Sequence, residues 1–296
     1  MKLTLTMGTL LLWAPYVAMA QAPRLFTSPD AAAQALIQAA GQNNTEQLAT
    51  IFGPQGQRVL SSGSSVQDQA ECQQFAQMAQ TKYRLEYDQN NPSRAFLLVG
   101  SDEWPFPAPI VKTKGGWMFD PSQAAVEMQA RRIGANELDA IEISAGFVAA
   151  QQQYASQARD QHRIREYAQQ IMSSPGQHNG LYWTGDPQPL VPRGLAEADF
   201  TSANPNPKPY HGYYFNVLKS QGKDAAGGTH VYVVNDMMFG GFALVAWPAQ
   251  YGVTGVHTFI VNQRGNVYEK DLGPQTATLA PAMRTYNPDD SWSDVE

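Results

Sequence analysis

The sequence has a single cysteine, Cys72, among 296 residues. One thiol cannot form an internal disulfide, so the fold must depend on apolar packing and hydrogen bonding. Charge is also scarce, since Asp, Glu, Lys and Arg make up 16% of the chain while hydrophobic residues make up 43%. This balance excludes an intrinsically disordered chain, which combines low hydrophobicity with high charge.

Basic residues are outnumbered and do not cluster. The chain carries 20 Lys and Arg against 26 Asp and Glu, for a formal net charge of -6. The pair Arg131-Arg132 is too short to form the basic patch that nucleic-acid binding requires. We therefore expect no nucleic-acid partner.

Sequence motifs for common catalytic centres are also absent. The chain contains no Gly-x-Ser-x-Gly elbow, no phosphate-binding loop and no dinucleotide fingerprint. None of its five histidines pairs with another at i, i+4, as the helical zinc motif requires. The sequence therefore predicts no metal and no cofactor, and it leaves the catalytic residues, if there are any, unknown.

Residues 1–20 are typical of a signal peptide. Lys2 supplies a positive start, an apolar stretch follows, and Ala18-Met19-Ala20 matches the small-x-small processing rule. The apolar stretch is short for a membrane span, although a retained anchor is the alternative. We expect export to the periplasm or the medium, and no stable membrane span after processing.

Residues 21–130 are predicted to form an N-terminal α+β domain. Ser28-Pro29 is a helix start, because Ser caps well and Pro suits the first turn. Further helical segments follow, and then short β-rich segments separated by turns at Asn90-Asn91 and Gly115-Gly116. Helices followed by an antiparallel meander indicate helices packed on one face of a sheet.

Residues 131–296 are predicted to be a long helix packed on a C-terminal antiparallel sheet. Within the stretch Arg131–Trp183, the residues between Ala135 and Ser174 include one glycine, Gly146, and no proline. Its apolar residues form two helical stripes, one of which includes Phe147. We expect a helix from about Asn136 to Ser174, a proline-rich connection, and then the strands of the second domain.

Several motifs resemble one exported bacterial family of unknown function, number 2950 in the domain-of-unknown-function series. The resemblance covers nearly the whole mature chain and implies location and architecture, because the family carries no activity that can be named. The motifs are Trp104-Pro105-Phe106-Pro107, Gly116-Trp117-Met118-Phe119-Asp120, Arg131-Arg132-Ile133-Gly134-Ala135-Asn136-Glu137-Leu138, Gly180-Leu181-Tyr182-Trp183, His211-Gly212-Tyr213-Tyr214, Gly241-Phe242-Ala243-Leu244-Val245-Ala246 and Gly255-Val256-His257-Thr258-Phe259-Ile260-Val261-Asn262.

Each half also resembles a known fold. The order of elements in the first half is similar to the nuclear-transport-factor-2-like fold, which hosts both enzymes and binding modules. The second half resembles the globular part of type IV pilins, in which a long helix precedes an antiparallel sheet. The helix after Gly134 carries Asn136, Glu137, Asp139 and Glu142. These polar residues are incompatible with pilin-style polymerisation, so only the pilin fold is expected.

The candidate binding residues are Arg131, Arg132, Glu137, Trp183, His211 and Tyr213. The two arginines could hold a carboxylate or phosphate, or form an ion pair between the two halves. Trp183 could line an aromatic groove for a glycan or peptide, or belong to the core. His211 lies among tyrosines and could line a polar cleft or be a structural histidine.

These patterns favour a non-enzymatic binding or assembly module of the cell envelope. The expected partner is an envelope protein, a peptide or a glycan. The alternative is an envelope hydrolase with a site near His211, whose acidic residues the sequence does not identify. The sequence leaves the choice between an enzyme and a binding module open, and favours the binding module.

Overall fold

The computed structural model describes residues 22–56, 65–158, 164–201, 204 and 206–295. The predicted signal peptide, residues 1–20, lies outside this range. The chain divides into two compact units, Met1–Met128 and Gln129–Glu296. The fold is α+β with mainly antiparallel sheets, which confirms the predicted class.

The first unit begins with three helices, each of which starts at or next to a predicted boundary. The Ser28 hydroxyl accepts a hydrogen bond from the Ala31 amide, and the Asn44 side chain accepts one from Gln47. These caps satisfy amide groups that have no partner within the helix. The helices are Pro29–Gly41 (α1), Thr45–Phe52 (α2) and Ser65–Thr81 (α3).

An antiparallel sheet follows, in the order β1-β2-β4-β5, with β3 also paired to β2. Helical and strand residues share one buried cluster, in which the Phe52 and Phe119 ring centroids are 5.2 Å apart. The strands are Tyr83–Asp88 (β1), Asn91–Val99 (β2), Trp104–Pro105 (β3), Ile110–Thr113 (β4) and Gly116–Phe119 (β5).

The long helix α4 spans Pro121–Ala155, so it begins in the first unit and ends in the second. It starts earlier than the expected Asn136, and the Arg131-Arg132-Ile133-Gly134 motif lies inside it. Pro121 suits a first helical turn, since its missing N–H would have no partner there. The helix buries Ala140, Phe147 and Tyr154 in the core of the second unit.

The predicted continuation of this helix to Ser174 is wrong. After Ala155 the chain leaves the helix, and Gln170–Met172 (β6) pairs in parallel with Gly180–Tyr182 (β7). The buried Gln151 amide accepts from the Ala168 N–H and donates to the Ala168 carbonyl, both at 2.8 Å. Because this side chain satisfies both backbone groups of Ala168, the returning segment is stable without helical hydrogen bonds.

The second unit is built on an antiparallel sheet in the order β16-β15-β14-β13-β8. Every residue of β13 is buried, and the ring of Phe147 from α4 meets Phe242 edge-on at 5.8 Å. The helix and sheet therefore share one core, as predicted. The strands are Tyr213–Leu218 (β8), Ala243–Pro248 (β13), His257–Asn262 (β14), Val267–Asp271 (β15) and Ser293–Asp294 (β16).

Smaller elements complete this unit. The segment around Val231 forms two short strands that pair with different neighbours. The C-terminal tail contains a helix that was not predicted from the sequence. These elements are Arg193–Glu197 (α5), Ser220–Gln221 (β9), His230–Val231 (β10), Val233–Val234 (β11), Met237–Met238 (β12) and Thr276–Ala282 (α6).

Within the described part of the chain, no helix combines the length and apolar character needed to cross a membrane.

Candidate functional site

The turn Tyr210-His211-Gly212-Tyr213 presents the first candidate residue. Tyr210 and Tyr213 exchange two backbone hydrogen bonds, at 2.9 and 3.0 Å. His211 and Gly212 have φ angles of 47° and 74°. Two successive positive φ values are typical of a type I′ hairpin turn, in which Asn, Asp or Gly is the usual first residue. The turn therefore places an imidazole at its tip.

This turn is packed closely against α4. A Cβ added to Gly212 would lie 2.5 Å from Asn136 Nδ2, a distance that side chains do not tolerate. The Asn136 amide donates a hydrogen bond to the Thr254 carbonyl at 2.8 Å. Gly212 is thus required both for its positive φ and for the close approach of the helix.

His211 is paired with Asp139 of α4. The distance between His211 Nδ1 and Asp139 Oδ2 is 2.6 Å, and the two side chains are 42% and 40% exposed. Solvent weakens a pair with this exposure, so its contribution to stability is small. The contact does fix the orientation of the ring, because only one imidazole nitrogen faces the carboxylate.

A cavity of about 330 Å³ opens beside this pair, and we call it the His211 cleft. Its wall carries two carboxylates, those of Asp139 and Glu142, which lie three residues apart on one face of α4. The described lining contains no serine, threonine or cysteine, so it supplies no aliphatic hydroxyl or thiol nucleophile. The apolar lining residues are Ile143, Phe147, Leu190, Val191, Pro192 and Leu195.

Glu137 belongs to a separate cluster with His257 and Tyr213. Its Oε1 accepts the backbone N–H groups of Val256 at 2.7 Å and His257 at 2.9 Å. The Tyr213 hydroxyl donates to the His257 carbonyl at 3.0 Å. Burial, followed by the nearby charge of Glu137, raises the pKa of Tyr213 well above its ordinary range. The phenol therefore stays protonated, and the cluster holds the start of β14 in place.

A family model described as "Protein of unknown function (DUF2950)" matches residues 23–295. The chain belongs to this family. The match confirms the resemblance drawn from the motifs and covers both structural units of the DUF2950 protein. No curated protein matches it. No solved structure matches it either.

The other predicted site residues of the DUF2950 protein lie elsewhere. Trp183 contacts His178, with ring centroids 4.8 Å apart, beside a second cavity. Arg131 is partly buried and Arg132 is exposed on α4, more than one helical turn before Glu137. Neither arginine lines the His211 cleft. Glu137 and Tyr213 therefore belong to one cluster. His211 pairs with Asp139, which is not part of that cluster.

The acidic residues that sequence reasoning could not identify are Asp139 and Glu142. Their signal was their three-residue spacing on a predicted helix, which places both on one face. Their pairing with His211 depends on how the distant turn docks, and no local pattern shows this. Among the residues that the structure describes, no group of three His, Cys, Asp or Glu side chains is placed to hold a metal ion.

Cys72 is a poor nucleophile in the first unit. It lies on α3 and packs against the buried cluster. Burial raises the pKa of its thiol, and the carboxylates of Asp68 and Glu71 raise it further. A raised pKa lowers the fraction of reactive thiolate at neutral pH. The geometry thus favours a packing role for the only cysteine.

Proposed function

We propose that this DUF2950 protein is an exported bacterial cell-envelope protein that acts as a non-enzymatic binding or assembly module. Its His211 cleft would bind a peptide segment that carries a basic and an apolar side chain. The observation that supports this is that Asp139 and Glu142 line the cleft together with apolar residues. The two carboxylates would attract an ammonium or guanidinium group, while the apolar lining would accept an aliphatic side chain.

The net charge of the cleft favours a cationic ligand at any protonation state of His211. Asp139 and Glu142 contribute two negative charges when ionised, and a protonated His211 offsets only one. A volume of about 330 Å³ is at the lower end for ligand pockets, so it suits one or two side chains. A short peptide motif fits this size better than a folded partner.

Export rests on the N-terminal sequence. Lys2, the following apolar stretch and Ala18-Met19-Ala20 match a processed signal peptide. The mature chain would then begin near Gln21 and act in the periplasm or outside the cell. An envelope location would bring the cleft into contact with peptides and glycans of the cell surface.

Two finer fold relationships are part of the proposal. The first unit, with helices α1–α3 before a meander, is consistent with a nuclear-transport-factor-2-like domain. The second unit, with the end of α4 before an antiparallel sheet, is consistent with a pilin-like domain. Neither relationship carries a function by itself, since one fold hosts many activities.

A hydrolase acting on an envelope substrate is the second candidate function. The 2.6 Å contact with Asp139 orients the imidazole of His211 as in many general bases. Because the described lining lacks an aliphatic hydroxyl or thiol nucleophile, His211 would have to activate water. A catalytic role therefore needs one more component than a binding role, and we favour binding.

The test uses protein recovered from the periplasm or medium, whose intact mass should match a chain that begins near Gln21. A labelled peptide that alternates leucine and lysine should bind, and a matched peptide with glutamate in place of lysine should not. Asp139→Asn and Glu142→Gln should each weaken binding by about two- to fivefold, as loss of an exposed charge pair predicts. Glu46→Gln, which removes an exposed carboxylate of the first unit, is the control.

Equal binding of both peptides, or unchanged affinity in the Asp139 and Glu142 variants, would contradict the proposal. The same samples distinguish the hydrolase. Mass spectrometry of the peptide after long incubation should show no cleavage. Cleavage that disappears in His211→Gln, with the fold intact, would favour the enzymatic alternative.

A further inference from the structure

A second cavity of the same unit, of about 460 Å³, lies beside Trp183, and we call it the Trp183 groove. It shares no lining residue with the His211 cleft. Among the described residues that line it, none is Asp, Glu, Lys or Arg, and His178 is the only ionisable group. A groove without fixed charge offers no strong attraction to a charged ligand.

One wall of the groove is aromatic. The Trp183 and His178 rings are 4.8 Å apart and inclined by 40°. The Tyr154 hydroxyl, on α4, donates a hydrogen bond to the His178 carbonyl at 2.6 Å. This bond ties the loop that carries His178 to the long helix. The indole is partly exposed and therefore presents an apolar surface on a restrained support.

The other groups around the groove are neutral hydrogen-bonding side chains. Ser174 Oγ accepts from Gln170 and Asn179, at 3.1 and 3.3 Å, so its own O–H can serve a ligand. Asn204 donates its two N–H groups to backbone carbonyls, so it can offer a ligand its carbonyl oxygen. The groove thus supplies both a donor and an acceptor.

The segment that forms the groove is held in one conformation by its own hydrogen bonds. The Ser173 amide donates to the Tyr182 carbonyl at 2.8 Å, and the Gly180 amide donates to Ser173 Oγ at 3.0 Å. A Cβ added at Gly180 would meet the Ser173 nitrogen at 2.7 Å, so only glycine allows this approach. Such preorganisation lowers the entropy that a ligand loses on binding.

We propose that the Trp183 groove binds a neutral saccharide. A sugar ring has an apolar C–H face that can stack on the indole and a rim of hydroxyl groups that need both donors and acceptors. The described lining combines these two features and contains no Asp, Glu, Lys or Arg. The site is independent of the peptide site in the His211 cleft, and each can be tested without the other.

The exported protein is titrated with two neutral trisaccharides, chitotriose and maltotriose. Binding is measured by calorimetry and by tryptophan fluorescence. At least one sugar should bind with a stoichiometry of one. Trp183→Ala should lower the affinity about tenfold or more, which is the scale of losing one aromatic contact. Trp183→Phe, which keeps an aromatic face, should lower the affinity less than Trp183→Ala does. Trp104→Ala, which removes a partly exposed tryptophan of the first unit, is the matched control.

Near-UV circular dichroism verifies the fold of each variant. If Trp183→Ala does not fold, Trp183→Phe and Ser174→Ala carry the test, and both should weaken binding. Absence of binding for both sugars would overturn the proposal, as would binding that the Trp183 and Ser174 variants leave unchanged. Binding of an uncharged peptide at the groove in place of either sugar would also overturn it.

Discussion

At the scale of single residues, Asp199 is a buried acidic side chain of the second unit. Its side chain is fully buried, and its Oδ2 accepts the backbone N–H groups of Ile171 at 2.8 Å and Met172 at 3.0 Å. Its Oδ1 has no hydrogen-bond partner among the described residues. Burial raises the pKa of this carboxyl to about 6, although the two amides and the charge of Lys219 act in the opposite direction. Asp199 therefore holds β6 in place and favours its protonated form.

The raised pKa predicts a specific dependence of stability on pH. The folded state keeps the Asp199 proton up to about pH 6, whereas an unfolded aspartate releases it near 3.8. The contribution of the Asp199 carboxyl to folding stability is therefore complete below pH 3.8, and it is lost as the pH rises through about 6. In urea unfolding, the free energy of unfolding of the wild type should fall by roughly 2–3 kcal/mol between pH 4 and 7 relative to that of Asp199→Asn.

Other groups titrate equally in both proteins, so the difference between the two curves isolates Asp199. The variant Asp102→Asn, at an exposed position, should follow the wild type throughout. Parallel curves for the wild type and Asp199→Asn would show that folding does not shift the pKa of Asp199. That result would contradict the effect of burial described above.

The same scale shows what sequence can and cannot reveal about a site. His211 could be noticed because it lies between tyrosines, but its partner Asp139 could not. Glu137 was a candidate binding residue, yet its carboxylate accepts the backbone amides of Val256 and His257. Each partner lies more than 70 residues away, so the pairing is set by tertiary docking and leaves no local pattern.

At the scale of elements, α4 shows where periodicity succeeds. Two apolar stripes were predicted on this helix. Phe147, Ala150 and Tyr154 of one stripe are buried, whereas the other stripe is divided, since Val148 is buried and Leu138 is 69% exposed. Hydrophobic periodicity identifies the helix, but the neighbouring sheet determines which face is buried. The end of the helix was missed because the hydrogen bonds between Gln151 and Ala168 have no sequence signature.

Phe147 and Leu138 should respond differently to truncation, although both lie on α4. Phe147→Ala should lower the free energy of unfolding by about 3–5 kcal/mol, because the side chain is fully buried against Phe242. Leu138→Ala should change it by less than about 0.5 kcal/mol, since it removes an exposed side chain. Urea unfolding followed by near-UV circular dichroism measures both. Similar losses in the two variants would mean that the buried face of α4 is assigned incorrectly.

At the scale of the whole molecule, the α+β class and the order of its main elements followed from the sequence. The strands of the second unit follow the long helix as predicted, and the cap predicted at Ser28 marks a real helix start. The C-terminal helix α6 was missed. It has only seven residues and contains Pro281, which local propensity rules out of helix interiors. Packing of the buried Ala280 in the core outweighs that propensity.

Each unit has its own buried cluster, and the cluster of the second unit includes residues from α4, β6 and β7 as well as the sheet. Phe147, Ile171 and Leu181 are all fully buried there. A fragment that begins after these residues would leave the apolar side chains of β13 and β14 without cover. Burying a large aliphatic or aromatic side chain stabilises the fold by about 1.5–3 kcal/mol. The free energy of unfolding of a whole domain is only about 5–15 kcal/mol.

We therefore predict that residues 129–296 fold on their own and that residues 184–296 do not. The longer fragment keeps the whole core of the second unit, including the part of α4 that contributes to it. Urea unfolding with near-UV circular dichroism should give a cooperative transition for residues 129–296 and none for residues 184–296. Residues 22–128, which keep the other cluster, serve as the positive control. A cooperative transition in residues 184–296 would mean that α4 is only a connection, and the proposed pilin-like relationship would then have to be abandoned.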